Sequence, residues 1–211
     1  PEDVVLVEQP AADVLFLSSA ATDLSTLASY LASAGGEHWR NQIRGLSLDC
    51  LSHPAQLDHY LASTAIQAKL VLVRLLGGRG HWSYGLEQLQ RWKDGGEGRH
   101  LVILAGTDDQ NNELHGLGSI SLALADRLAE LLREGGVDNL GEVLRALELL
   151  LQEQQPDPTD LQLLPMPDPA PWDWRDDAGP RIGVVLYRAQ LQAGDVSLAE
   201  ALGLACRERG L

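Results

Sequence analysis

Cysteine, basic side chains and long apolar runs are all scarce in this sequence, and each scarcity closes a class of function. Only Cys50 and Cys206 occur in 211 residues. They stand far apart with no Cys-x-x-Cys spacing, which excludes a disulfide framework and fits a reducing, cytosolic compartment. Lys and Arg number 16 against 30 Asp and Glu, a formal charge of −14, so almost any face repels a phosphate backbone. Nucleic acid and anionic membrane are therefore poor partners. No apolar run approaches the ~18 residues that span a bilayer, and Pro1-Glu2-Asp3-Val4 lacks the positive flank of a secretion signal, so no membrane insertion is expected. Nothing reads GxSxG, GxxxxGK[ST] or HExxH, which removes the nucleophile elbow, the Walker loop and the zinc-protease helix. The start lacks an initiator Met and the end stops just after a helical pattern, so the chain reads as a piece of something longer.

What is present is an alternation. Strand-length apolar runs recur at Val14–Leu17, Leu46–Leu48, Leu70–Val73 and Leu101–Leu104, with helical patterns between them, a βαβα order. The last two runs are almost continuous in Val, Leu and Ile, which suits strands covered on both faces in a parallel sheet. Leu24, Leu27, Ala28 and Leu31 share a helical face behind a Thr22 or Asp23 cap, and Gly35-Gly36 stops it. Further crossover helices are expected over Pro54–Thr64 and Tyr84–Lys93, and a helical hairpin over Ile120–Glu134 and Leu140–Glu153, broken at Gly135-Gly136. The fold class is thus α/β, an open, mostly parallel sheet of flavodoxin or Rossmann type flanked by helices, over residues 1–155. Prolines and aspartates crowd residues 156–180, which reads as a linker. Ile182–Tyr187 then reads as a new buried strand and Ser197–Arg209 as a helix, the first pieces of a second α/β unit spanning 181–211.

The candidate site follows the third strand. Arg74, Arg79, His81, Trp82 and Tyr84 gather where the carboxyl end of a central strand is expected, the usual ligand crevice of such a sheet. Arg74 or Arg79 could pair with a carboxylate, and Trp82 and Tyr84 could stack on a flat ring. Gly78-x-Gly80-x-x-Ser83 comes close to the dinucleotide fingerprint, but the strand is not the first of its unit and Trp82 is bulky where a pyrophosphate must approach. A stand-alone nucleotide-binding oxidoreductase is a minor alternative. Thr107–His115 is rich in hard oxygen ligands, yet Glu113 stands where a calcium loop needs glycine, so a solvated loop is expected and no metal site. His53 and His59 are six apart, on different helical faces, and read as surface or capping residues.

Leu72-Val73-Arg74-Leu75-Leu76-Gly77-Gly78-Arg79-Gly80-His81-Trp82-Ser83-Tyr84-Gly85 resembles the large-subunit family of aerobic, ATP-dependent cobaltochelatase. That family carries an Arg-Leu-Leu-Gly-Gly segment followed by an aromatic residue and a Tyr-Gly pair. The likeness continues through Ala105–Asp109, Gly135-Gly136, Ile182–Arg188 and Gly194-Asp195, in the family's order. Departures are Ala189-Gln190, where relatives often differ, and Val196, where threonine is expected. The resemblance implies the amino-terminal head of a much longer subunit that binds hydrogenobyrinic acid a,c-diamide and takes Co2+ as substrate in cobalamin biosynthesis. It implies two smaller partner subunits, one an AAA+ ATPase, that use ATP and Mg2+. Magnesium chelatase, which inserts Mg2+ into protoporphyrin IX, is the related alternative. Metal-insertion residues are expected outside this chain, so no catalytic residue, metal ligand or bound cofactor is assigned here. The substrate-binding candidates are Arg74, Arg79, Trp82 and Tyr84.

Overall fold

The structure is a computed structural model and describes residues 4–107, 111–165 and 182–210, with backbone alone at 111 and 112. Its centre is a four-stranded parallel sheet in the order β2-β1-β3-β4. The strands are β1 (Val14–Ser18), β2 (Ile43–Ser47), β3 (Leu70–Leu75) and β4 (His100–Ala105). Alternate side chains of each strand point to opposite faces, and here both faces are apolar. Val14, Phe16, Leu70, Leu72, Val102 and Leu104 enter one core, while Leu15, Leu17, Val71, Val73, Leu101 and Ile103 enter the other. That explains why the β1, β3 and β4 sequences do not alternate.

Helices cover both faces. α1 (Ala21–Ala32), α5 (Leu122–Glu134) and α6 (Val137–Leu151) close the first core; α2 (Pro54–Ser63), α3 (Ser83–Asp94) and α4 (Asn111–His115) close the second. β1 passes to β2 in one direction and β2 returns across β1 to β3, so crossovers of one hand put α1 and α2 on opposite faces. The sequence order therefore fixes a switch point between the carboxyl ends of β1 and β3, where the two crossovers diverge.

Several boundaries differ from expectation. β2 begins three residues before Leu46, and Leu48 already belongs to a short 3-10 turn, Leu48–Leu51. β2 is only partly covered, so its pattern is weak; Arg44 and Gly45 interrupt the apolar run. α1 has Ala20 at its N-cap with no side-chain cap, because Asp23 turns inward. Of the stretch expected as a linker, residues 157–164 are packed on the hairpin. Leu161 is buried in the first core, its carbonyl accepts from Arg127 Nε and a terminal nitrogen at 3.1 and 2.7 Å, and Asn139 bonds Leu164 through both its backbone groups. Residues 166–181 lie outside the described residues.

The expected strand Ile182–Tyr187 is a correction. The segment has no sheet partner among the described residues, and its apolar side chains face solvent, with Val185 96% exposed. β-branched composition favours an extended backbone but cannot supply the neighbouring strand that a ladder requires. Two helices follow, α7 (Arg188–Gln192) and α8 (Ser197–Arg207). No described helix is long and apolar enough to cross a membrane.

Candidate functional site

The carboxyl edge of the sheet carries two different groups of side chains. The first is buried at the switch point. Ser18 ends β1, Asp23 lies in the first turn of α1 and Arg74 stands near the end of β3, directly beside Ser18 in the register. A guanidinium nitrogen of Arg74 donates to Asp23, Ser18 Oγ donates to the other carboxylate oxygen at 2.5 Å, and Ser18 Oγ accepts from the Ala20 N–H at 3.0 Å. Burial pushes the Asp23 carboxyl above the usual range, and the Arg74 charge pulls it part of the way back. Arg74 is only 7% exposed and its buried Nε has no partner among the described residues. Arg74, expected to face a ligand, is instead buried in this structure and paired with Asp23.

The second group is exposed. After β3 the chain turns at Gly77, whose φ of +91° suits glycine and against which the His81 ring packs. A short 3-10 turn, Arg79–His81, leads into α3. Arg79 and His81 face solvent. Trp82 is half-buried: its Nε1 donates to the Leu51 carbonyl at 3.2 Å, and its indole lies where a Cβ on Gly85 would stand, 2.2 Å away. The Tyr-Gly pair is explained by that contact, since any larger residue at 85 would displace the indole. Tyr84 is exposed, and its hydroxyl donates to Asp58 at 2.8 Å, which holds the phenol above its ordinary pKa. Arg79, Trp82 and Tyr84 thus follow one another through the 3-10 turn, the N-cap and the first turn of α3, while Arg74 is buried. The loop offers one guanidinium, one indole edge and one phenol, a set suited to a flat ring with carboxylate substituents.

One buried polar residue escaped sequence reasoning. His115 has no exposed surface; its Nε2 accepts from the Ala105 N–H at 3.0 Å, and its Nδ1 bonds Asp126 at 2.7 Å. It thus satisfies an outward N–H of the edge strand β4, as Ser119 does for Leu101. The flanking Leu114 and Leu117 were the available signal that the loop turns back into the core. Asp108, Asp109 and Gln110 lie outside the described residues. His53 is a cap, its Nδ1 accepting from Ala55 N at 3.1 Å, and His59 pairs with Glu8 at 2.8 Å. Among the described residues no three His, Cys, Asp or Glu side chains converge as a metal site.

Comparison with known proteins bears on what this edge serves. No protein-family model matches the chain. It is 30% identical over 222 aligned residues to an aerobic cobaltochelatase subunit CobN from a Sinorhizobium species, covering 92% of this chain and 16% of that protein. It is 29% identical over 209 residues to the subunit of the same name from Pseudomonas aeruginosa, covering 93% and 16%. Among solved structures it is similar to the catalytic subunit of cobaltochelatase from Mycobacterium tuberculosis, with a TM-score of 0.61 and 28% identity over 95% of this chain and 15% of that one. The chain thus spans about a sixth of the length of the relatives it matches.

Proposed function

We propose, from the premise that the chain belongs to the aerobic cobaltochelatase large-subunit family, that it is part of the tetrapyrrole-binding subunit of a chelatase that inserts Co2+ into hydrogenobyrinic acid a,c-diamide. The observation that carries this reading is the match to two CobN subunits along more than nine-tenths of the chain. In this reading cobalt is a substrate, and the reaction forms nitrogen–metal bonds in the cytoplasm. Two smaller subunits, one an AAA+ ATPase, use ATP and Mg2+ to drive it, and this segment alone is inactive. Residues 1–155 serve as the head, 156–180 as a join and 181–211 as the beginning of a second α/β unit. The packed strap at 157–164 argues for moving the end of the head to about residue 165.

Within the head, Arg79, Trp82 and Tyr84 form the face that meets the corrin ring. Arg79 pairs with a ring carboxylate, and the aromatic pair covers its flat surface. Arg74 acts as a positioning residue, anchoring the end of β3 from which the loop departs. The test is a chimera in which this chain replaces the corresponding segment of the Pseudomonas aeruginosa subunit, assayed with its partner subunits, ATP and Co2+. Cobalt insertion into hydrogenobyrinic acid a,c-diamide, with no insertion of Mg2+ into protoporphyrin IX, is expected. A soluble, folded chimera that assembles and inserts no cobalt would overturn the proposal.

A further inference from the structure

Residues 188–194 sit on the head in an unusual way. Gln192 is held at both ends: its side-chain nitrogen donates to the Arg133 and Glu134 carbonyls at 3.2 and 2.6 Å, closing the end of α5, and its own carbonyl accepts from Thr26 Oγ1 at 3.1 Å. Ser29 Oγ donates to the Ala193 carbonyl at 3.1 Å, and Arg188 pairs with Glu134 at 2.5 Å. The socket is shaped for this contact. Gly135, with φ of +76°, lies where a Cβ would come within 3.0 Å of Gln192 Cβ. Apolar contribution is small, since Ala193 is the one fully buried apolar residue of the segment. Beneath the socket lies a cavity of about 10 Å³, lined in part by Asp23, Thr26, Gly135 and Gly136. It has room for about one water.

Elements that share a core open only when the core unfolds, because apolar burial dominates their stability. A segment joined by hydrogen bonds to carbonyls and hydroxyls exchanges those bonds for water at little net cost. We infer that residues 188–194 are a latch, closed over α1 and the end of α5 in this structure, which opens as a unit while the sheet stays folded. Its opening frees everything carboxyl-terminal to it, including α8, to reorient relative to the Arg79–Tyr84 loop.

Hydrogen exchange followed by mass spectrometry tests this on the chain itself. The amides of 188–194 are expected to exchange at least about tenfold faster than those of β1 and β3. Gln192→Ala should raise exchange there about tenfold more and leave β1 and β3 unchanged. A second variant reads the closed state directly. A Cβ at Gly194 stands 3.8 Å from Ser29 Cβ, the separation of a disulfide. Gly194 has φ of +71°, which strains a side chain there, so the readout is taken on the cross-linked form: with Cys50 and Cys206 changed to serine, the Ser29→Cys, Gly194→Cys disulfide should slow exchange at 188–194 relative to its own reduced form. Exchange at 188–194 as slow as in β1, a Gln192→Ala effect that reaches β1 and β3 equally, or a cross-linked protein whose 188–194 exchanges as fast as its reduced form would each overturn the latch.

Discussion

Asp23 and Arg74 show how a residue's type can be read correctly and its task misread. A short acidic residue before a helical run is a good cap candidate, and an arginine at the end of a central strand is a good ligand candidate. The register of β1 and β3 puts Ser18 beside Arg74, and the two candidates satisfy each other instead. The pairing is set by tertiary contact between residues 51 apart, which local spacing does not record. Removing one member of a buried pair leaves the other uncompensated, so Arg74→Met should cost about 3–5 kcal/mol near neutral pH. The pH dependence has a definite sign. Asp23 already titrates above its unfolded value, so its folded-state ionisation disfavours folding as pH rises. Loss of Arg74 raises that pKa further. The deficit of Arg74→Met in urea unfolding should therefore be smaller near about pH 4 and grow towards neutrality; a deficit that shrinks as pH rises would contradict the assignment. His115→Ala removes the acceptor for Ala105 and leaves a cavity, so a loss of about 2–4 kcal/mol is expected in the same assay. Asp126→Asn, at a half-exposed site, should cost under about 1 kcal/mol.

Elements were legible in proportion to their burial. β1, β3 and β4 lie between two helical layers, and their continuous apolar runs announced it; the hairpin was announced by its period and the Gly135-Gly136 break. β2 slipped by three residues because it is only partly covered and Arg44 and Gly45 break its apolar run, whereas the other edge strand, β4, is buried along nearly its whole length. Ile182–Tyr187 has strand chemistry without a strand partner, and pairing is a property of two segments. The loop before α3 was legible as a candidate site but not as a structure. Its Gly85 is required because Trp82 lies on it. Gly85→Ala should expel the indole from its contact with Leu51, red-shift the tryptophan emission and cost about 1–3 kcal/mol by overpacking. Unchanged emission would show that Trp82 packs elsewhere.

At the scale of the whole molecule, an acidic α/β fold carries Arg79, Trp82 and Tyr84 after the carboxyl end of β3. Composition made nucleic acid a poor candidate partner, and the ordered series of motifs pointed to the family, but neither could say which arginine faces outward. That depended on the pairing at the switch point. The most direct test of the central claim, that the Arg79–Tyr84 loop meets the ring, is titration of the chain with metal-free hydrogenobyrinic acid a,c-diamide. Tryptophan emission is the readout, corrected for ring absorbance, with NADH as control. The chain has five tryptophans; Trp39 and Trp92 are buried and Trp172 and Trp174 lie outside the described residues, so the difference between the parent and Trp82→Phe isolates the reporter. The account predicts saturable quenching by the corrin and not by NADH, lost in Trp82→Phe. It also predicts that Arg79→Ala with Tyr84→Ala weakens binding at least about tenfold, the loss of ~1.4 kcal/mol. No quenching, or quenching unchanged by these substitutions, would contradict it and place the ring against another part of the subunit.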